Sequence, residues 1–278
     1  MGRRATVLAF ALLGALWLAP PPARAAVSAE VVDGVLTVTG GAGNDAIDVG
    51  CSGGDVVVND RAPDTGRASC AELLRIVVRA QGGSDVVDLR SVLPEDFGSL
   101  RGTRVVGGSG YDTLYGSPFD DALEGGDGDD DLYASAGTDA LDGGGGNDDL
   151  RVDTAGNLTL TDAALTTGEG TATIGGFEQV TARSLGRGVR FDLRGFRART
   201  YAYGGEGPDV LLGGPGVSGL FGGPGGDRLV GADGEDFLFG GDGRDVLRGG
   251  AAGDRMDGGP GRDDCRGGPG VDLIAGCP

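Results

Sequence analysis

The sequence contains no histidine, and it has only one tryptophan, two methionines and four cysteines. Without histidine, a Ser-His-Asp triad, an H-E-x-x-H zinc site and any histidine-ligated metal centre are excluded. Lysine is also absent, so all 23 basic residues are arginines, against 42 acidic residues and a net charge of −19. No basic stripe is available to replace counterions on a phosphate backbone, which argues against a nucleic-acid partner.

Long apolar runs are absent beyond the first 25 residues. A basic start, Met1–Arg4, precedes the apolar segment Ala5–Ala19, and Ala23-Arg24-Ala25 provides an A-x-A cleavage site. This pattern predicts a secretory signal peptide over 1–25, too short for a stable membrane span; an uncleaved anchor is the alternative. We therefore expect a secreted, extracellular protein with no membrane span after cleavage.

Glycine, in contrast, is abundant, with 60 residues, and its spacing is periodic. Between 204 and 275 the chain repeats a nonapeptide close to G-G-x-G-x-D-x-U-x, where U is a large apolar residue. Its eight units begin at Gly204, Gly213, Gly222, Gly231, Gly240, Gly249, Gly258 and Gly267. Position 6 holds Asp209, Ser218, Asp227, Asp236, Asp245, Asp254, Asp263 and Asp272. Position 8 is apolar in every unit, so the repeat predicts alternating turns and short strands with position 8 inward.

A second array occupies 107–151 in the same nine-residue register. Its position 6 holds Asp112, Asp121, Asp130, Asp139 and Asp148, and its position 8 is always leucine. Two of its units lack some of the glycines but keep Asp and Leu, so we expect them to be weakened sites. Isolated degenerate copies begin at Gly40 and Ala80.

A fixed short period indicates a solenoid in which each unit buries its apolar side against its neighbours. Two turns and two strands make an eighteen-residue coil, so position-6 carboxylates eighteen residues apart lie about one strand spacing, ~4.8 Å, apart. Their repulsion, about 1 kcal/mol per pair in water and more at lower dielectric, opposes folding. A hard dication shared between coils reverses this, and Ca²⁺ suits an all-oxygen ligand set best. A metal-free glycine-rich solenoid is the alternative.

Both arrays resemble the RTX, or haemolysin-type calcium-binding, repeats. The resemblance implies an all-β, right-handed parallel β-roll or β-helix solenoid, with Ca²⁺ held between successive turns by position-6 carboxylates and turn carbonyls. It assigns calcium to three pairs in the first array: Asp112 with Asp130, Asp130 with Asp148, and Asp121 with Asp139. In the second array the implied pairs are Asp209 with Asp227, Asp227 with Asp245, Asp245 with Asp263, Asp236 with Asp254, and Asp254 with Asp272. Ser218 leaves its pairing with Asp236 doubtful.

Four cysteines in an exported chain suggest two disulfides, for which three pairings exist. Cys51 and Cys70 share one segment, and Cys265 and Cys277 share the last coil, so we favour these two local bridges. The second one would cap the open end of the solenoid.

The repeats divide the chain into five predicted regions. These are a signal peptide at 1–25, a β-rich segment with degenerate repeats at 26–106, the first array at 107–151, a β spacer at 152–203, and the second array with its cap at 204–278. We expect both non-repetitive regions to continue the solenoid as irregular coils, with a small β-sandwich at 27–106 as the alternative.

Catalytic motifs are weak. Gly50–Gly54 matches G-x-S-x-G, but the chain offers no histidine base and no strand–helix context. We therefore predict a non-enzymatic, calcium-binding structural or adhesive module, with a cell-surface or polysaccharide ligand left unspecified. The alternatives are a carbohydrate-active parallel β-helix enzyme and a secreted toxin or partner-binding fragment.

Overall fold

The computed structural model describes residues 27–277, so the predicted signal peptide lies outside the described residues. Within this range the protein is built of strands, and its one helical element is a three-residue 3₁₀ turn, Cys70–Glu72. No helix in the described part of the chain is long and apolar enough to cross a membrane. The all-β class predicted from the repeats is confirmed.

Residues 27–277 form 26 strands, most of them three to seven residues long. Those before the second array are β1 (Ser28–Val32), β2 (Val35–Thr39), β3 (Ala46–Ser52), β4 (Asp55–Val58), β5 (Arg75–Gly82), β6 (Val86–Asp88), β7 (Thr103–Ser109), β8 (Thr113–Tyr115), β9 (Asp121–Asp127), β10 (Asp131–Tyr133), β11 (Gly137–Gly145), β12 (Asp149–Thr154), β13 (Leu158–Thr161), β14 (Ala164–Thr166), β15 (Gly170–Gly175), β16 (Gln179–Ser184), β17 (Arg190–Gly195) and β18 (Arg199–Tyr203). The second array contributes β19 (Val210–Leu212), β20 (Ser218–Phe221), β21 (Arg228–Ala232), β22 (Phe237–Phe239), β23 (Val246–Gly250), β24 (Arg255–Asp257), β25 (Asp264–Arg266) and β26 (Leu273–Ala275).

These strands form two sheets that face each other across one apolar interior. Sheet I has 14 strands in the order β1-β2-β5-β7-β9-β11-β15-β14-β13-β17-β19-β21-β23-β25. Sheet II has 12 strands in the order β26-β24-β22-β20-β18-β16-β12-β10-β8-β6-β3-β4. Apart from β1, β13 and β14, each strand of sheet I is followed in the chain by a strand of sheet II, so one strand of each makes a coil. This is the β-roll solenoid expected from the nonapeptide period.

The eighteen-residue coil is visible in the strand register. In the second array Leu229 pairs with Leu247, and Leu247 pairs with Cys265, each eighteen residues further on. The position-8 leucines of both arrays are 2% exposed or less, so they form the core between the sheets. Because one large apolar residue in nine fills this core, the coils are thin and their apolar burial per residue is small.

The non-repetitive regions join the same two sheets. In the N-terminal region β2, β5 and β7 pair in parallel, as do β3, β6 and β8, while the antiparallel strands β1 and β4 lie at the outer edges. In the spacer the antiparallel strands β13 and β14 are inserted into sheet I, while sheet II runs in parallel through β12, β16 and β18. The limits of the five predicted regions stay predictions.

Both cysteine pairs favoured by the sequence are joined. Cys51 binds Cys70 with Cα atoms 6.0 Å apart, and Cys265 binds Cys277 with Cα atoms 5.9 Å apart. The C-terminal coil is nevertheless more open than the others: Ile274, at position 8, is 48% exposed, whereas Met256 in the preceding coil of the same sheet is 1% exposed.

Candidate metal centre

The position-6 residues lie in two columns, one at the start of the strands of each sheet. The sheet II column contains Asp112, Asp130 and Asp148 from the first array, and Ser218, Asp236, Asp254 and Asp272 from the second. The sheet I column contains Asp121 and Asp139 from the first array, and Asp209, Asp227, Asp245 and Asp263 from the second. Each aspartate ends a glycine-rich turn, so its side chain turns back under the loop that precedes its strand.

One carboxylate oxygen of each aspartate connects successive coils. The backbone N–H of Asp112 donates to Oδ1 of Asp130 at 2.8 Å, and the N–H of Asp130 donates to Oδ1 of Asp148 at 2.8 Å. All eight implied calcium pairs show this N–H to Oδ1 bond over eighteen residues, at 2.8 to 3.0 Å. The eighteen-residue stacking is therefore present in both arrays, and it holds neighbouring carboxylates one coil apart.

The second carboxylate oxygen is buried without a hydrogen-bond donor. This holds for Oδ2 of Asp85, Asp112, Asp130, Asp148, Asp209, Asp227, Asp236, Asp245, Asp254 and Asp263. Each of these residues is 8% exposed or less. A buried carboxylate oxygen without a partner carries a desolvation cost of a few kcal/mol unless a cation or a proton compensates it.

The glycine at position 1 keeps the space beside this oxygen open. A Cβ atom placed on Gly240 would lie 2.5 Å from Asp245 Oδ2 and 2.6 Å from the carbonyl oxygen of Gly258. The same two kinds of oxygen crowd the equivalent position at Gly125, Gly204, Gly222, Gly231 and Gly249. A carboxylate oxygen and a carbonyl oxygen from the next coil therefore converge where no side chain stands.

This donor set fits Ca²⁺. All the donors are oxygens, and Ca²⁺ accepts six to eight of them, carbonyls included, in flexible geometry. Among residues 27–277 no three acidic or cysteine side chains converge on one point, so backbone carbonyls must complete each coordination shell. The position-6 carboxylates and position-1 carbonyls would hold the ion, and its charge would compensate the buried Oδ2 atoms.

Burial raises the pKa of these carboxyl groups. For Asp130 and Asp227 the pKa rises to about 6, first through desolvation and then through the neighbouring carboxylates of the column. For Asp236 the pKa rises to about 7, with Asp254 as the charged neighbour. The repulsion expected along the columns is thus present, but desolvation is the larger cause, and both favour a bound cation.

Asp121 and Asp139 differ from the other aspartates, because hydroxyl groups occupy their oxygens. Asp121 accepts hydrogen bonds from the hydroxyls of Thr103 at 2.6 Å and Ser117 at 2.8 Å, and Ser135 donates to both carboxylates at 3.1 and 3.2 Å. Neither aspartate leaves a buried oxygen without a donor. Burial raises the pKa of Asp139 to about 7. The two units that lack glycines therefore satisfy their carboxylates within the protein.

Ser218 keeps the coil-to-coil bond but contributes no carboxylate. Its N–H donates to Oδ1 of Asp236 at 2.7 Å, and the hydroxyls of Thr200 and Ser218 are hydrogen-bonded to each other at 3.1 Å. At the other end, Asp272 lies in the last coil of the described residues and accepts the N–H of Asp254. The sheet II column of the second array thus begins with hydroxyl groups and ends at the open coil.

Two further aspartates belong to the sheet II column and were not predicted as site residues. Asp45 and Asp85 lie in the copies that begin at Gly40 and Ala80. The N–H of Asp45 donates to Oδ1 of Asp85 at 2.7 Å, and the N–H of Asp85 donates to Oδ1 of Asp112 at 2.8 Å. The spacings of 40 and 27 residues conceal this continuity in the sequence. Both aspartates occupy position 6 of a degenerate copy, and this position could have predicted them as members of the column.

Glu178 extends the same column beyond Asp148. Its side chain accepts the N–H of Asp148 at 3.1 Å, thirty residues away and outside any nonapeptide. No repeat unit in the sequence indicates this role.

Comparison with known protein families agrees with this geometry. No individually curated protein matches the sequence. The RTX calcium-binding nonapeptide repeat family matches residues 37–50, 97–118, 115–150, 200–217, 221–255 and 239–274, which together make up about half of the chain. The first match includes Asp45, whereas Asp85 lies between matches. The two aspartate columns and their buried oxygens agree with this match, and the chain belongs to the RTX calcium-binding nonapeptide repeat family.

Proposed function

We propose that this calcium-binding β-roll is secreted, folds when it binds Ca²⁺, and serves outside the cell as a structural or adhesive module. The observation that supports this most directly is the set of buried, unpartnered Oδ2 atoms along both columns. Extracellular calcium modules work in the millimolar range, so the ion would be supplied where the protein is delivered.

Coupling of folding to calcium follows from the balance of forces in a coil. The apolar core takes one large residue in nine, while each coil buries carboxylates without donors. Because the ion binds the folded columns and not the unfolded chain, its binding free energy becomes folding free energy. The two disulfides and the N-terminal core, with Phe97 and Leu89 fully buried, add stability that does not depend on metal.

A structural role is favoured over a catalytic one by the bonds that the aspartates make. Apart from Asp121, whose oxygens accept hydroxyl groups, each position-6 carboxylate stacked in a column accepts a backbone N–H of the neighbouring coil. A general acid or base must be free to exchange its proton with a substrate, and a carboxylate held between coils is not.

Far-ultraviolet circular dichroism of the purified protein tests the coupling. We expect the two arrays to be largely unfolded in calcium-free buffer at pH 7.5, with a cooperative gain of β-structure on titration with Ca²⁺ into the millimolar range. Mg²⁺ is the control, because it prefers octahedral geometry and retains its waters, so it should give a much smaller change. A spectrum that is the same with and without calcium would contradict the proposal.

N-terminal sequencing of protein recovered from the medium of a secreting bacterial host tests the export. We expect the mature chain to begin at Ala26, after the A-x-A site. Retention inside the cell with Met1 present would contradict secretion while leaving calcium binding unaffected.

A further inference from the structure

The outer surface of sheet I carries a groove whose lining includes two members of the sheet I column, the buried Asp121 and Asp139. A cavity of about 680 Å³ is formed by the edge of β2, the residues before β5 and β7, and the first residues of β9 and β11. A second cavity of about 320 Å³ shares Ala122, Ala140 and Thr173 with it and continues the groove across the sheet. This combined size is that of a ligand-binding cleft rather than a packing defect.

Small side chains form the floor of the groove. Ala122 pairs in register with Ala140, and Ala140 pairs with Thr173, so these outward residues follow one another coil by coil. A row of this kind along the solenoid is flat and open on its outer side. This surface can contact an extended ligand along its length, but it has no deep pocket for a compact apolar ligand.

Arginines line one end of the groove, in a protein whose net charge is −19. The backbone N–H of Arg101 donates to the carbonyl of Leu74 at 3.1 Å, which places Arg101 beside Arg75. Among residues 27–277, neither guanidinium has a carboxylate partner, whereas the nearby Arg104 is paired with Glu124 at 3.0 Å. Two exposed, unpaired cations beside a groove favour an anionic group on the ligand, since arginine binds carboxylates and sulfates through paired donors.

The groove beyond Gly102 offers acceptors and hydroxyl groups, beginning on the next strand. Asp120 is exposed; its Oδ1 accepts the N–H of Thr138 at 2.8 Å, and its other oxygen has no bonded donor in the described chain. Thr138 and Thr173 add hydroxyls along the same wall. A ligand that fits must therefore present hydroxyl donors at one end and an anionic group at the other.

We propose that this groove binds an anionic saccharide, with its carboxylate or sulfate at Arg75 and Arg101 and its ring hydroxyls toward Asp120 and Thr138. A saccharide acid combines both features on one ring, and the apolar C–H face of that ring can lie on the alanine floor. The inference deepens the adhesive role proposed above and rests on it for its biological meaning. The groove itself lies outside the calcium columns of the second array.

Isothermal titration of the full, calcium-loaded chain tests the groove, with free Ca²⁺ held constant. The probes are oligogalacturonate, sulfated dextran oligomers and neutral dextran oligomers. We expect at least one anionic probe to bind roughly ten-fold or more tightly than the neutral one, the fold-change of one lost charge-assisted contact. The two anionic probes distinguish carboxylate from sulfate recognition.

Three variants separate the groove from general charge effects. Replacing the arginines (Arg75→Ala with Arg101→Ala) and filling the floor (Ala140→Phe) should each weaken binding roughly ten-fold or more. Ala140→Phe leaves the net charge unchanged. Arg228→Ala is the matched control: it removes an exposed arginine without an ion pair from the same sheet, and its affinity should equal that of the unmodified protein.

Any one of three results overturns the proposal. The first is that no anionic probe binds the folded protein, and the second is that the double arginine variant binds as well as the unmodified chain. The third is that Arg228→Ala loses as much affinity as the double arginine variant does. Circular dichroism on the same samples distinguishes this from failure of the calcium proposal. If the saccharide binds and the circular dichroism spectrum is the same with and without calcium, the groove is supported and the coupling of folding to calcium is contradicted.

Discussion

Asp130 accepts the backbone N–H of Asp112 through Oδ1 at 2.8 Å, while its Oδ2 atom is buried and bonded to nothing. The first bond fixes the distance between coils, and the second oxygen requires a counter-charge. Because one oxygen joins the coils and the other is available to a cation, a sequence rich in glycine and acidic residues can form a single ordered solenoid.

Asp245→Asn should reduce calcium binding while keeping the coils stacked. In the native protein the N–H of Asp227 donates to Oδ1 of Asp245 at 2.8 Å. Asparagine keeps an oxygen that can accept this bond, but it loses the charge next to Gly240. We expect fewer bound ions per chain and a higher calcium midpoint for folding, measured by titration calorimetry and circular dichroism. Asp242→Asn, which removes an exposed charge from the same turn, is the control and should behave like the unmodified protein. Equal losses in both variants would show that net charge alone is being measured.

Asp130→Asn should lower calcium binding more than Asp139→Asn does. The two aspartates belong to adjacent units of one array, but Oδ2 of Asp130 has no donor, whereas Ser135 donates to Asp139 at 3.2 Å. We therefore expect the hydroxyl-bonded pair Asp121 and Asp139 to contribute little to calcium stoichiometry. Calcium counting by equilibrium dialysis compares them directly, and a greater loss in Asp139→Asn would refute this assignment.

Gly143→Ala should raise the calcium midpoint, whereas Gly145→Ala should not. A Cβ on Gly143 would clash with the carbonyl oxygen of Gly176 and lie 2.7 Å from Asp148 Oδ2, the two kinds of oxygen that would face the ion. A Cβ on Gly145, in the same turn, would have its nearest neighbour at 3.8 Å. Neither glycine has a positive φ, so backbone strain does not separate the two variants. Circular dichroism at a series of calcium concentrations gives both midpoints. Similar shifts would mean that position 1 does not border the ion.

The metal-free protein should become more folded as the pH falls from 8 toward 5. Burial raises the pKa of Asp130 and Asp227 to about 6 and that of Asp236 to about 7, above the ordinary value of 3.8. A group whose pKa is raised by folding stabilises the fold when protonated, and this contribution disappears as the pH rises through the folded pKa. Each protonated carboxyl thus replaces the missing ion in part. Circular dichroism after dialysis against calcium-free buffer measures it; a constant or falling β signal between pH 8 and 5 would contradict the prediction.

The arrays were predictable because period and chemistry coincide in them. Position 8 must fill a thin core and position 6 must face the ion, so any insertion inside a unit would displace both, and the nine-residue spacing persists. Asp85 and Glu178 could not be predicted in this way, because the nine-residue spacing is lost around them. Residues 89–102 follow Asp85, and strands β13 and β14 precede Glu178, so the column continues in space while the sequence period is lost. The groove at Arg75 and Arg101 was equally hidden, since strand pairing across 26 residues brings its two arginines together.

Removing the C-terminal disulfide should weaken calcium binding most at the last coils. The Cys265–Cys277 bridge closes the coil that contains β26, where Leu273 is 67% exposed and Ile274 is 48% exposed, so little apolar burial holds this end. A bridge over a loop of this length stabilises by about 3 kcal/mol in the chain-entropy model. Solenoid coils separate from their exposed ends, so the double replacement Cys265→Ser with Cys277→Ser should release the ions beside Asp254 and Asp263 first. Hydrogen exchange resolved by peptide gives the measurement, with faster exchange expected in 246–277 and unchanged exchange in 107–151. The matched control, Cys51→Ser with Cys70→Ser, should leave 246–277 protected, and uniform loosening of the whole chain by the C-terminal variant would show that the coils unfold as one unit instead.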